Sequence, residues 1–178
     1  MTIDRKATVL VFALAMLLLT GPMCVAQKKA PAQSAPVPAQ ILAAKKIFIA
    51  NGGGDESIYD EAAYTGGPDR LYDEFYAAMK TSGRYELVSA PGDADLILEV
   101  RLTIFQLQHV RVLSDDSPLI DSQFQLVIRE PRTGQTLWGR TEHAQGAVLQ
   151  SNRDKNFEQA LASIVADVQK IAGPPADS

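Results

Sequence analysis

A run of three glycines between polar residues is the first feature of this sequence whose composition could support chemistry. Residues 51–57 read NGGGDES. A loop that cradles a phosphate needs a Lys and then a Ser or Thr directly after its last glycine. Asp55 and Glu56 stand there instead, and their charge would repel an anion. The pattern predicts a flexible connection between a strand and a helix, with a loop over a ligand cleft as the alternative.

Two histidines, His109 and His143, are the only imidazole groups in the chain. Together with Asp115, Asp116 and Glu142 they offer the ligand types of a mixed metal site. Their spacing matches neither the His-x-His nor the His-x-x-x-His pattern, which places two imidazoles on one side of a strand or a helix. We therefore predict no metal and no cofactor, and two partly exposed histidines near an edge of a sheet.

Three serines, Ser57, Ser114 and Ser122, could each be combined with a histidine and an aspartate into a hydrolytic triad. The sequence has no G-x-S-x-G turn to expose such a serine. Cys24, the only cysteine, lies in an amino-terminal segment that we expect to be removed, so cysteine chemistry is excluded from the rest of the chain. We predict no catalytic residue.

Carboxylates are concentrated in residues 51–74, where seven of them accompany a single basic residue, Arg70. They are Asp55, Glu56, Asp60, Glu61, Asp69, Asp73 and Glu74. A solvated loop followed by the start of a helix is the simplest interpretation. A cation site, a site for a basic partner, or a small exported hydrolase that uses these acids is the alternative.

Trp138, the only tryptophan, falls on the same side of its strand as Arg140 when the strand alternates regularly. Aromatic and arginine side chains are enriched among the residues that dominate binding at interfaces. These two residues, joined to three from neighbouring strands, form the candidate partner surface: Arg101, Phe105, Val127, Trp138 and Arg140. A buried Trp138 is the alternative.

The elements that would position these residues follow from the spacing of apolar side chains. Leu96, Leu98 and Val100 alternate with polar neighbours, which is typical of a strand with one dry and one wet face. We predict strands at 46–51, 84–89, 95–107, 121–130 and 135–148, and helices at 69–82 and 151–172. The Ser114–Pro118 stretch is expected to be a loop.

This order, β-α-β-β-β-β-α, predicts an α+β fold: a two-layer sandwich with a mostly antiparallel or mixed sheet of four to five strands. Both helices would pack on one face of the sheet. Two helices can cover one face of such a sheet but not both, so the second face is expected to meet water or a partner.

The amino terminus has the pattern of a secretory signal peptide. Basic residues precede an uncharged apolar run at residues 7–20, and Cys24-Val25-Ala26 supplies a cleavage site before Gln27. Lipidation of Cys24 is disfavoured because Gly21 and Met23 do not fit its signal. We expect a periplasmic or secreted protein. A signal kept as a membrane anchor, followed by Lys28, is the alternative.

The rest of the chain is expected to hold a disordered Ala/Pro/Gln linker at 27–43, one domain at 44–173 and a flexible tail at 174–178. The whole chain carries 17 Lys and Arg against 21 Asp and Glu, a formal net charge of −4 at pH 7. This balance argues against a nucleic-acid partner, which usually requires a basic face.

Two motifs resemble those of exported bacterial domains of unknown function. Residues 94–103 read ADLILEVRLT and follow a helix and an RYELV strand, and residues 131–138 read PRTGQTLW, similar to a D-x-x-T-G-x-x-L-W hairpin. On these motifs, residues 44–173 resemble an uncharacterised family of periplasmic envelope proteins. Its architecture is similar to the amino-terminal domain of the Tol–Pal translocation protein, to curli-secretion-type lipoproteins and to lipopolysaccharide-assembly lipoproteins.

The resemblance implies an envelope location and a binding or assembly role, and it brings no catalytic residue. The sequence therefore predicts a non-catalytic envelope module that binds a protein, a lipid or a glycan. The binding surface would be the sheet face or residues 51–68.

Overall fold

The computed structural model describes residues 35–54, 63–112 and 115–173, and for residues 106–112 and 115–120 it describes the backbone alone. The predictions on the signal peptide, on Ser57, Ser114 and the acids at 55–61, and on the tail lie outside the described residues. So do those on the side chains of His109, Asp115 and Asp116. From Pro36 onward the described chain belongs to one compact unit.

The described residues of this unit form three α-helices and five strands. In chain order they are α1 (Ala39–Ala43), β1 (Lys46–Gly54), α2 (Arg70–Ser82), β2 (Glu86–Leu87), β3 (Leu96–Val112), β4 (Asp115–Arg129), β5 (Thr136–Ala144) and α3 (Gln150–Ala172). A 3-10 turn at Pro91–Asp93 leads into β3. The fold is α+β, as predicted from the sequence.

The sheet is mixed, with the strand order β2-β1-β3-β4-β5. β1 lies between β2 and β3 and is parallel to both. The β3–β4 and β4–β5 pairs are antiparallel. The connection from β1 to β2 contains α2, as a crossover between parallel strands usually does, and the 3-10 turn leads from β2 to β3.

The core lies between one face of the sheet and the helices. Alternation in β3 buries Leu98, Val100 and Leu102, and they belong to the same buried cluster as the α3 residues Phe157 and Ile164. α2 contributes the stripe that its helical spacing predicts, namely Leu71, Phe75 and Met79. The sandwich therefore has the two layers predicted from the periodicities.

The first helix corrects the predicted domain boundary. The sequence predicts a disordered linker through residue 43, but Ala39–Ala43 is helical and Ile41 is fully buried. Val37 also packs against the core. The composition of residues 27–43 gave the wrong prediction, because five helical residues with one buried side chain hardly change the mean hydropathy of an Ala- and Gln-rich stretch. In the described part of the chain, no helix has the length and hydropathy needed to cross a bilayer.

The β3–β4 hairpin is longer than predicted. Its pairing continues to Val112 opposite Asp115, so the expected loop at 114–118 is largely strand. β1 pairs with β3 only as far as Leu102, and β5 pairs with β4 only from Ser122. Among the described residues, the backbone at 106–112 and 115–120 therefore pairs only within this hairpin, which projects beyond the rest of the sheet.

Candidate binding surface

The sheet has a second face that none of the described helices covers. Because side chains alternate across a strand, the neighbours of the buried positions point to this side, which we call the open face. Its residues are Phe48, Ala50, Ile97, Glu99, Arg101, Thr103, Phe105, Asp121, Gln123, Gln125, Val127, Arg129, Thr136, Gly139, Thr141 and His143.

Strand register arranges the centre of the open face in rows that cross the strands. Arg101 of β3 is opposite Gln125 of β4, which is opposite Thr141 of β5. Thr103 and Gln123 form the next row with His143, and Phe105 with Asp121 the row after that. Directly opposed side chains start about 4.5–5.5 Å apart, so each row presents a continuous set of groups.

Some charges on the open face neutralise one another. Arg129 Nε lies 3.1 Å from Glu99 Oε2, and Arg129 Nη1 donates to the Thr136 hydroxyl at 3.1 Å. Asp121 accepts a hydrogen bond from Gln123 at 2.9 Å, and its other oxygen lies 2.9 Å from Nδ1 of His143. These two contacts, with Gln123 the stronger cause, hold the pKa of Asp121 below its ordinary value.

Four polar side chains of the open face have no partner in the part of the chain that the structure describes. They are Arg101, Thr103, Gln125 and Thr141, none of which makes a side-chain hydrogen bond or ion pair there. Beside them, Phe105 keeps 46% of its surface exposed. The centre of the face thus combines an uncompensated cation, unused donors and acceptors, and one exposed aromatic ring.

Trp138 and Arg140 do not belong to this surface, which corrects the predicted site. Thr136 pairs with Arg129 whereas Trp138 pairs with Ile128, so Leu137 is an extra residue. Such a β-bulge shifts the alternation by one residue and moves all later side chains to the other face. Trp138 and Arg140 therefore lie on the helix-covered side, and only Arg101, Phe105 and Val127 of the predicted set share the open face.

The contacts of these two residues agree with that placement. Trp138 is half-buried against the core, as the alternative interpretation of its position expects. Arg140 Nε lies 3.0 Å from Asp167 of α3, and its Nη2 lies 2.9 Å from Glu142. The guanidinium of Arg140 thus helps to hold β5 against the last helix.

The sheet also separates the residues of the predicted hydrolytic and metal sites. Ser122 is fully buried on the helix side, whereas Asp121 and His143 meet on the open face. Glu142 likewise points away from the side that carries His143. Among the described residues, no three His, Cys, Asp or Glu side chains come close enough to hold a metal ion.

A polar junction at the start of α3 engages Glu74, one of the three described acids of residues 51–74. Arg70 Nη1 lies 2.7 Å from Asp154, its Nε lies 2.6 Å from Glu74, and the guanidinium stacks 4.2 Å from the ring centre of Phe157. Asp69 accepts a hydrogen bond from Asn51 of β1 at 2.8 Å, whereas Asp73 has no side-chain partner among the described residues.

Asp154 is the centre of this junction. It lies in the first turns of α3, which begins at Gln150, and it accepts a hydrogen bond from the Thr65 backbone N–H at 3.0 Å. Burial acts to raise the pKa of Asp154, but the hydrogen bonds from Thr65 and Arg70 outweigh it and hold that pKa below its ordinary value. Long-range contacts of this kind leave no local sequence signal.

Comparison with known proteins finds only distant structural similarity. No family model matches the sequence, and no curated protein matches it. A proposed neuraminyllactose-binding hemagglutinin homologue from Helicobacter pylori is similar, with a TM-score of 0.48, 10% identity, and coverage of 80% of this chain and 94% of that one.

Two further similar structures are a DUF330 protein from Xanthomonas campestris and a minor lipoprotein from Acinetobacter baumannii. The first has a TM-score of 0.46, 15% identity, and coverage of 76% of this chain and 87% of that one. The second has a TM-score of 0.41, 18% identity, and coverage of 75% and 97%. Bacterial lipoproteins are thus among the neighbours, but the likeness is too distant to carry an inference about activity. The resemblance to Tol–Pal and curli-secretion proteins stays a prediction.

Proposed function

We propose that this protein is a non-catalytic binding module of the bacterial envelope and that it binds its partner through the open face. The observation that carries the proposal is the group of unpartnered side chains on that face. Arg101 is exposed and Gln125 is half-buried there, neither side chain has a hydrogen-bond or ion-pair partner among the described residues, and Phe105 exposes nearly half of its surface. An exposed aromatic ring beside a free guanidinium is typical of residues that dominate binding.

The pKa values of the described aspartates support a non-catalytic role. A general acid in a hydrolase needs a pKa raised towards neutral pH, so that it still carries a proton when the reaction begins. The three described aspartates with a resolved shift, Asp95, Asp121 and Asp154, all have a lowered pKa. No observation on the described residues favours the alternative of a hydrolase that uses the acids of residues 51–74.

The envelope location is supported by the amino-terminal sequence alone. A basic start, an uncharged apolar run and the Cys24-Val25-Ala26 exit are the three parts of an export signal. A non-catalytic exported module acts by binding a partner, and the donors, acceptors and aromatic ring of the open face are the groups available to bind a protein, a lipid or a glycan.

Site-specific photo-crosslinking in intact cells tests the proposal. A photoreactive phenylalanine at position 105 should form adducts with an envelope component. The same residue at position 76 is the matched control, because Tyr76 is an exposed aromatic of α2, on the helix layer. Adducts from position 105 alone support the open face. Equal adducts from both positions, or adducts from position 76 alone, contradict it.

A further inference from the structure

We propose that the open face binds a glycan that carries carboxylate groups, and that Arg101 contacts one of these carboxylates. This inference rests on the proposed function, because it names the class of ligand for the same surface. It is argued from the chemistry of the unpartnered side chains and from their register across three strands.

The unpartnered groups suit a ligand rich in hydroxyls. Amide and hydroxyl side chains both donate and accept hydrogen bonds, as sugar hydroxyls do. Gln125 and Thr141 supply such groups in one row, and Thr103 supplies another in the next row. Because none of the three is used within the described chain, all are available without breaking an internal contact.

Phe105 extends this surface along the strand. It lies four residues beyond Arg101 on the same face of β3, which corresponds to about 13 Å at the usual rise of a strand. The aromatic ring offers a flat apolar surface on which the C–H face of a sugar ring can pack. A short oligosaccharide that runs along β3 would reach both Phe105 and Arg101.

The charges of the open face point to a carboxylate. Arg129 is already paired with Glu99, and His143 with Asp121, whereas Arg101 has no counter-charge among the described residues. A guanidinium can form two parallel hydrogen bonds to a carboxylate, and such charge-assisted pairs are stronger than neutral ones. Gln125, directly opposite Arg101, is neutral and does not compete for it.

The other classes of partner fit this surface less well. The core of a protein interface is usually mostly apolar, but the central rows here consist of polar side chains, among them Thr103, Gln123 and Gln125. Attraction to an anionic membrane needs several clustered basic residues, and on the described open face Arg101 is the one guanidinium without a counter-charge. A nucleic acid needs a basic face, and the chain has a net charge of −4.

Binding of defined oligosaccharides to the purified exported protein tests this inference. The probes are hexasaccharides of guluronate, galacturonate and glucuronate, with neutral cellohexaose for comparison, titrated while backbone amide NMR signals are recorded. We expect at least one acidic hexasaccharide to bind and to shift signals of β3, β4 and β5 around Arg101. Arg101→Gln should weaken this binding about tenfold or more, because it removes a charged hydrogen-bonding pair.

Two matched variants serve as controls. Arg132→Gln removes an exposed guanidinium from the β4–β5 turn, and Tyr76→Ser removes an exposed aromatic from α2; both should leave the affinity within about twofold of the parent. Phe105→Ser should weaken binding without changing the denaturation midpoint.

The outcomes separate this inference from the proposed function. If no acidic hexasaccharide binds, or if cellohexaose binds equally well, the inference is wrong. It is also wrong if the shifted signals lie on α2 and α3. Should position 105 still crosslink to an envelope component in that case, the binding role survives with another class of partner. If neither an acidic hexasaccharide binds nor position 105 crosslinks, the open face is not a binding surface.

Discussion

At the scale of the residue, the alternation of side chains between the two faces of the sheet determines which of them can come into contact. Ser122 and Asp121 are adjacent in sequence, yet the buried hydroxyl of Ser122 and the exposed pair of Asp121 with His143 lie on opposite faces. A serine, an aspartate and a histidine that look like a hydrolytic set are therefore kept apart by the backbone. The Ser122 hydroxyl instead lies near the buried Tyr64, whose pKa is raised by burial and partly lowered again by Ser122.

The junction around Arg70 predicts a pH-dependent contribution to stability. Asp154→Asn should lower the free energy of unfolding at pH 7 by about 1–2 kcal/mol, because a charged acceptor of two hydrogen bonds is lost. An aspartate with a lowered pKa stabilises the fold fully above its unfolded pKa, and this contribution is lost as the pH falls through the lower, folded pKa. The difference between parent and variant should therefore shrink as the pH falls through the lowered pKa of Asp154.

Urea denaturation at neutral and acidic pH measures this difference. Glu158→Gln is the control, since Glu158 lies 3.7 Å from Arg70 but is 66% exposed, and it should have little effect at either pH. A difference between parent and Asp154→Asn that stays constant on acidification would show that the charge of Asp154 does not stabilise the junction.

The residues also show how far sequence alone could locate the candidate site. Alternation along β3 and β4 correctly predicted that Arg101, Phe105 and Val127 share a face, because regular strands alternate with a period of two. The same rule was wrong for Trp138 and Arg140, because the bulge at Leu137 has no marker such as a glycine or proline. Pairing between strands, rather than local composition, determines where a bulge lies.

At the scale of the element, the fold was predictable where a periodicity was long. The spacing of apolar residues predicted α2, α3 and the alternation of β3, since each buries a continuous stripe. It failed for α1, which is only Ala39–Ala43, and for the far end of the β3–β4 hairpin. α1 is stabilised by contacts with residues distant in sequence, and the far end of the hairpin by pairing between its two strands. Neither kind of contact produces a pattern in the local sequence.

Because α1 packs against the core with one side only, substitutions at two adjacent residues should change the free energy of unfolding by very different amounts. Ile41 is fully buried, whereas Leu42 is 51% exposed. Ile41→Ala should lower the free energy of unfolding by about 2–5 kcal/mol through lost burial and the resulting cavity. Leu42→Ala should change it by less than about 0.5 kcal/mol, as is usual for a surface substitution.

Chemical denaturation of both variants measures the difference. Equal, small effects would mean that α1 does not belong to the folded domain and that the boundary near residue 44 is correct after all.

At the scale of the whole molecule, the proposed export would determine what the mature chain contains. Cleavage after Ala26 would remove the apolar run together with Cys24, and the remaining chain would have no cysteine. Such a domain cannot use disulfides in an oxidising compartment and depends on its core alone. Mass spectrometry of the exported protein should show an amino terminus at or near Gln27. An intact Met1, or a palmitate label on Cys24, would contradict this prediction.

The projecting β3–β4 hairpin has a consequence for the exchange of backbone amide hydrogens with solvent. Around residues 98–102 and 124–128, β3 and β4 are each flanked by a further strand, whereas at 106–112 and 115–120 the described strands pair only with each other. Two-stranded ribbons are marginally stable in water, so this end should open without unfolding the domain. The amides of residues 106–112 and 115–120 should exchange with deuterium much sooner than those near Val100 and Leu126, and binding of any molecule along this hairpin would appear as a selective slowing there.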